Sequence, residues 1–296
     1  MTFMYLTFGE KPEYHVQAYL SMLSFRRQTS TTDRIVMVTT APQFYRNTAG
    51  WVETVGITDE QVKEWQGEYQ FFWRAKIKAI EMVGQRYPDE PLLYLDCDTV
   101  LRGSIDWIKQ QLSEGHGLMD TNDGHPSRMK TKSLRMWKTV AGHTYGGITL
   151  GMQHNMYCAG VVGIPGGRIG EVTSTALALC DGMLADKAER IVIEQYALSI
   201  ALYERVGVLE TSRVIAHYWA VKDLWIAAAH QLMTRAFMVN ATLEEELRMF
   251  DETDWSQLPV YVHRSNTARR IGKLVAKLFP DRDYRYLRKD YKNSCG

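Results

Sequence analysis

The chain has 296 residues, 45% hydrophobic and 23% charged, with a formal net charge of +1. That balance is close to the globular average and excludes global disorder, while the near-zero net charge gives no general affinity for nucleic acid, so no such partner is expected. Cys97, Cys158, Cys180 and Cys295 form no C-x-x-C pair and are expected as reduced thiols.

Residues 3–8 are apolar and rich in β-formers, and read as a buried strand. Residues 14–25 carry apolar side chains at helical spacing, and 35–38 form a second short strand. That order opens an α/β domain with parallel pairing. Thr58 with Gln61, and later Thr242 with Glu245, are spaced as capping boxes. A helix is expected over 71–83, and the run 91–95 (PLLYL) is the clearest central strand. A short strand follows at 115–119, and 120–153 reads as an irregular stretch rich in Gly, Thr, His and Lys. Its length suggests a lid over a ligand, or a surface insertion. Further expectations are a strand at 157–164, helices at 169–184 and 191–203, and short strands at 208–209 and 214–215. Basic residues crowd the end of the chain. The simplest division is a catalytic domain over 1–265 and a basic extension over 266–296. No basic-then-apolar leader opens the chain, and no apolar run reaches the about 18 residues that span a bilayer, so a cytoplasmic location is expected.

The chemistry concentrates after the central strand. In open α/β sheets ligands collect beyond the carboxyl ends of the strands, and Asp96 and Asp98 stand there. With Cys97 between them in an extended segment, both carboxylates point to one side. Two carboxylates so close repel unless a cation lies between them, and Mn²⁺ or Mg²⁺ would also grip phosphate oxygens. His217 ends a short apolar strand, and imidazole completes a mixed oxygen and nitrogen shell suited to manganese. Lys222 could neutralise a diphosphate as a point charge. Arg74 and Lys76 on one helix, and Glu194 with Gln195 on another, are by themselves ordinary surface residues.

Taken together, Tyr5-Leu6-Thr7, Arg74-Ala75-Lys76, Leu93 to Asp98, Cys158-Ala159-Gly160-Val161, Glu194-Gln195 and His217-Tyr218-Trp219 resemble, in that order, the motifs of the glycogenin and bacterial lipopolysaccharide galactosyltransferase-like family. The resemblance covers roughly residues 3–225. It implies a GT-A, Rossmann-like α/β fold with a central, mostly parallel sheet flanked by helices. It also implies a retaining, metal-dependent transfer of sugar from a nucleotide-diphosphate donor, expected to be a UDP-sugar. Asp96, Asp98 and His217 would hold Mn²⁺ or Mg²⁺. Arg74 would contact the donor sugar or diphosphate, with Lys76 also on the donor side. Tyr5 and Thr7 would lie against the nucleoside, Gln195 near the anomeric carbon with Glu194 beside it, and Lys222 near the leaving diphosphate. Two departures stand out. Cys158 occupies a position usually held by Asn, and the late motif H-x-x-G-x-x-K-P has Ala220 for its glycine and Lys222 one residue early, with Asp223 in the lysine's place.

The expected acceptor is the hydroxyl of a glycan or lipid-linked saccharide. In the C-terminal extension Ile271, Leu274, Val275, Leu278 and Phe279 lie at helical spacing among Arg and Lys, as in a helix lying on anionic lipid or packing on its own domain. Competing readings of the acidic pair are a haloacid-dehalogenase-type phosphatase, whose D-x-D normally lies on the first strand, and a nucleotidyltransferase, which would want a Gly-rich basic loop after it. A non-catalytic sugar-nucleotide-binding module would also use the abundant Tyr and Trp.

Overall fold

In a computed structural model, residues 1–130, 132–262 and 266–279 are described; within the last stretch this excludes the side chains of residues 266, 268, 269, 273 and 276. In chain order the elements are β1 (Thr2–Thr7), α1 (Pro12–Arg26), β2 (Arg34–Thr39), β3 (Glu53–Gly56), α2 (Asp59–Trp65), α3 (Arg74–Arg86), β4 (Leu92–Leu95), β5 (Thr99–Leu101), α4 (Ile105–Ser113), β6 (Gly117–Met119), β7 (Asn122–Gly124) and α5 (Lys132–Val140). There follow β8 (Thr144–Tyr145), β9 (Ile148–Thr149), β10 (Met156–Tyr157), β11 (Val161–Ile164), α6 (Ile169–Ala185), α7 (Ile193–Val206), β12 (Val208–Glu210), β13 (Ile215–His217), α8 (Lys222–Met238), α9 (Leu243–Glu252) and α10 (Asn266–Leu278). The chain divides into two compact units, Met1–Val260 and Tyr261–Gly296.

The first unit is built on a seven-stranded sheet ordered β12-β6-β11-β4-β1-β2-β3. Its strands run parallel except β11, which is antiparallel to both neighbours. Helices cover both faces, which is why β1, β2 and β4 read as unbroken apolar runs. Alternation along β1 sends Met4 and Leu6 into one core with α3, α6 and α7, and Phe3 and Tyr5 into the other with α1 and α4. A third cluster joins Val16, Leu20 and Leu23 of α1 to Tyr218, Trp225 and Leu232 of the α8 region and Phe250 of α9. The second unit's α10 carries exposed Ile271, Leu274, Val275 and Leu278.

Thr242 and Glu245 form a complete capping box at the start of α9, while Thr58 caps α2 through its acceptance of the Gln61 N–H. Two expectations need correction, and one helix goes unforeseen. Residues 120–153 are not structureless: they carry β7, the helix α5 and the β8–β9 hairpin. The strand expected over 157–164 is two strands, because β10 pairs with β7 and β11 joins the main sheet, with Cys158-Ala159-Gly160 crossing between them. The 17-residue α8 is not foreseen at all. Its buried Trp225, Ala229, Leu232 and Ala236 form one face toward α1 and α9, but exposed Leu224, Phe237 and Met238 lie off that face and blur the stripe.

Candidate active site

The site forms at the carboxyl edge of the sheet, where the topology gathers four strand ends. β1 and β4 pair in parallel with Tyr5 opposite Leu95, so Leu6-Thr7-Phe8 and Asp96-Cys97-Asp98 leave the sheet side by side. β6 delivers Asp120 to the same edge, and antiparallel β11 begins there, so Cys158 to Gly160 enter where the others leave. Backbone bonds stitch these segments together. The Asp96 N–H donates to the Gly160 carbonyl at 2.8 Å, Asp120 N–H to the Cys158 carbonyl at 3.2 Å, and Cys158 N–H to the Thr121 carbonyl at 2.8 Å. β13 lies antiparallel to β5 with His217 opposite Thr99, which sets the imidazole beside Asp98.

Asp96, Asp98 and His217 each offer a ligand atom, and the three atoms lie within 4.8 Å of one another. The His217 Nε2 is 3.4 Å from Asp98 Oδ1, and its Nδ1–H donates to Asp120 Oδ2 at 2.7 Å. A carboxylate behind an imidazole fixes the ring and its tautomer, leaving the far nitrogen free to ligate. Burial favours the neutral imidazole, but the bonds to Asp120 and Asp98 outweigh it and hold the His217 pKa well above the ordinary value. Burial likewise acts to raise the Asp98 pKa, and His217 and Lys222 reverse it and hold this carboxyl well below the usual carboxylate range.

Two lysines flank the pair. Lys222, the first residue of α8, reaches Asp98 Oδ2 at 2.7 Å. Buried Lys76 sits 3.4 Å from Asp96 and 3.1 Å from Glu194, donates to the Ala159 carbonyl at 3.1 Å, and lies over the Tyr94 ring. Burial pulls its pKa down, and Asp96 and Glu194 more than restore it, so the ammonium stays charged. Asp96, Asp98, Asp120, Asp123 and Glu194 thus gather around two lysines and one imidazole. A divalent cation would offset this excess of acidic groups, and two carboxylates with one imidazole are a donor set that manganese accepts. The residues present fit such an ion.

The acidic pair forms the shared wall of two cavities. One, of about 350 Å³, is lined by Leu6, Thr7, Phe8, Tyr14, Phe72, Trp73 and Tyr94. The other, of about 440 Å³, is polar and lined by Asp120, Thr121, Asp123, Gln195 and Trp219. Lys76, Asp96, Asp98 and Lys222 line both.

No protein-family model matches the chain, and no curated protein does. Among solved structures it is similar to the galactosyltransferase LgtC in complex with donor and acceptor sugar analogues, at 14% identity over 99% of each chain with a TM-score of 0.49. It is also similar to mouse xyloside xylosyltransferase 1, at 10% identity over 71% of this chain and 85% of that one, with a TM-score of 0.46. The bifunctional glycosyltransferase WbbM matches at 12% identity over 71% of this chain and 38% of its own, with a TM-score of 0.43. Likeness at this level does not carry an activity from one chain to another; the residues of the site must do so.

The structure brings together Asp96, Asp98, His217, Lys76, Lys222, Glu194 and Gln195, and sets Thr7 in the wall of the aromatic cavity. Gln195 donates to Asp123 at 3.1 Å. Two expected residues go elsewhere. Tyr5 is fully buried two positions short of the strand end, with its hydroxyl 3.1 Å from Ser21, and Leu6, Thr7 and Phe8 line the cavity in its stead. Arg74 turns away from the cavities. Its guanidinium grips Asp181 of α6 at 2.8 and 3.0 Å and donates to the Trp65 carbonyl. Arg74→Gln is therefore expected to leave turnover within about twofold of the parent and to cost about 1–2 kcal/mol of stability, because half-exposed Asp181 can return to water. Chemical denaturation with parallel kinetics checks both.

Sequence reasoning missed Asp120 and Asp123, and gave Gly160 no role beyond its place in the Cys158-Ala159-Gly160-Val161 motif. The strand-end rule that selected Asp96 applies equally to Asp120, which directly follows β6. Gly160 had its own signal, a glycine opening a strand, which marks close approach of another group. Here that group is the His217 ring, since a β-carbon at Gly160 would lie 2.2 Å from Cε1.

Proposed function

We propose that the protein is a metal-dependent glycosyltransferase that moves a sugar from a nucleoside-diphosphate donor, a UDP-sugar, to a hydroxyl acceptor. The observation that carries this reading is the position of the acidic pair and two lysines on the wall between an aromatic cavity and a polar one. A nucleotide sugar has the same order of chemistry: a flat base, a charged diphosphate, then a polyol. The base and ribose lie along Phe8, Tyr14, Phe72 and Trp73, where aromatic faces stack on a planar ring. The sugar lies in the polar cavity against Asp120, Asp123 and Gln195.

Asp96, Asp98 and His217 hold Mn²⁺ or Mg²⁺, which when bound supplies Lewis-acid stabilisation of the leaving diphosphate. Lys222 adds a mobile positive charge at the same end, and half-exposed as it is, it can leave Asp98 for a phosphate oxygen. Lys76, locked by Glu194 and Ala159, pairs with the Asp96 carboxylate and orients it. Gln195 brings a neutral amide dipole to the polar cavity, suited to a centre that gains positive character without a carboxylate nucleophile. Transfer with retention, the acceptor hydroxyl approaching on the leaving-group face, fits this set. The acceptor is a glycan or a lipid-linked saccharide. Exposed Ile271, Leu274, Val275 and Leu278 beside exposed Arg270 and Lys277 on α10 support contact with an anionic lipid surface. Among the described residues no helix is long and apolar enough to cross a membrane.

Thermal shift with UDP-sugars tests the reading. A donor should raise the melting temperature with Mn²⁺ present and do little without it, since ligand bound to the native state stabilises by mass action. The metal effect should also depend on pH with a definite sign. His217 must lose its proton to ligate, and its pKa is raised, so manganese affinity climbs with pH through the range in which that proton leaves. A metal-independent shift, or affinity falling as pH rises, would count against the assignment.

A further inference from the structure

We propose that Asp120, Cys158 and His217 form a second metal site, for a thiophilic divalent ion of the zinc class, which excludes ion binding at Asp96, Asp98 and His217. The three side chains offer a carboxylate oxygen, a sulfur and a ring nitrogen, all within 4.8 Å of one another. The His217 Nδ1 is 3.6 Å from Cys158 Sγ and 2.7 Å from Asp120 Oδ2. Around a tetrahedral zinc ion, with bonds of about 2.3 Å to sulfur and about 2.0 Å to nitrogen, those two donors stand about 3.5 Å apart, so sulfur and nitrogen are already in place. The carboxylate needs to draw back from the ring by roughly 0.6 Å to complete the same geometry. Water in the polar cavity, which Asp120, Cys158 and His217 all line, supplies the fourth position. The donors are also held in place, because the Cys158 backbone is bonded on both sides to the Asp120-Thr121 segment.

Ligand softness separates the two sites. Thiolate with imidazole selects zinc-class ions, whereas two carboxylates with imidazole suit manganese or magnesium. Exclusion follows from the imidazole itself. A neutral ring has one lone pair and one N–H. Ligation through Nε2 leaves Nδ1–H donating to Asp120, whereas ligation through Nδ1 leaves Nε2–H donating to Asp98. One His217 cannot serve both ions as a neutral ligand. Binding at the second site releases the thiol proton and, from the doubly protonated ring, the Nδ1 proton to solvent, and the metal keeps its oxidation state. The exclusion rests on the proposed role of Asp96 and Asp98; the second site does not.

Cobalt titration of the full chain tests this through the thiolate-to-cobalt charge-transfer band. The band should saturate at one ion per chain, vanish in Cys158→Ser, and persist in Asp96→Asn and Cys180→Ser. Excess Mn²⁺ should suppress it in the parent but at least tenfold less effectively in Asp96→Asn. Absence of the band, or its survival in Cys158→Ser, overturns the site. A band that Mn²⁺ never suppresses leaves the site standing and overturns the exclusion. As a check that needs no substitution, Zn²⁺ should protect Cys158 from alkylation by iodoacetamide, read by peptide mass spectrometry, and unchanged labelling overturns the site.

Discussion

Asp98→Asn is expected to abolish metal-dependent sugar transfer while the protein stays folded. Asp98 is nearly inaccessible to solvent and faces His217 at 3.4 Å and Lys222 at 2.7 Å. Losing a residue that only orients a metal ligand typically costs 10–100-fold, so loss of Asp98, proposed to ligate the ion directly, should exceed about a hundredfold in turnover. The substitution also has a stability cost. The pKa of Asp98 is lower in the folded chain than in the unfolded one, so its charge contributes stability that is complete above the unfolded pKa and fades as pH falls through the folded one. The Asn variant should therefore be less stable at neutral pH by up to about 3 kcal/mol, softened because Lys222 can turn to solvent, and the gap should narrow in acid. Circular dichroism melts beside a donor-turnover assay separate the two effects. A folded Asp98→Asn protein with unreduced turnover would contradict the role given to this residue.

Gly160→Ala should weaken metal binding without replacing any proposed ligand. The added β-carbon would lie 2.2 Å from His217 Cε1 and 2.4 Å from Nδ1, distances that no side-chain packing tolerates. The backbone there cannot yield freely, because the Gly160 carbonyl holds the Asp96 N–H and β11 pairs with β4 immediately beyond. The imidazole must swing out and lose its bonds to Asp120 and Asp98. Manganese affinity should drop by about a hundredfold, with a folding cost of about 1–3 kcal/mol for the overpacked site. Gly163→Ala is the control. Its β-carbon would press on Leu118, Leu93 and Leu112 in the core, so it should lose stability by a similar amount and keep its metal affinity. Calorimetric titration with Mn²⁺ decides. Equal losses of affinity in both variants would mean that Gly160 acts only through stability.

The sequence was most informative where an unbroken apolar run met a strand end. Burial on both faces made β1, β2 and β4 plain, and Asp96 and Asp98 followed because they stand at the edge of the clearest strand. Lys222 reaches the site despite its shifted spacing, since the first turn of α8 starts at that edge. Arg74 misled for a helical reason. Residues two apart on a helix point to nearly opposite sides, so Arg74 and Lys76 could not share one ligand, and the inward position fell to Lys76. Tyr5 misled through depth, because the residues that reach the aromatic cavity stand at the very end of β1 and beyond, and Tyr5 lies under α1. The polar composition of 120–153 concealed α5, although Met136, Trp137 and Val140 share one face of it and pack on the core.

The most direct test is the location of the ion itself. Crystals grown with UDP and Mn²⁺ should show, at the manganese absorption edge, an anomalous difference peak between Asp96, Asp98 and the Nε2 of His217, with the pyrophosphate on its open side. An ordered UDP with no such peak, or a peak remote from both aspartates, would contradict the account.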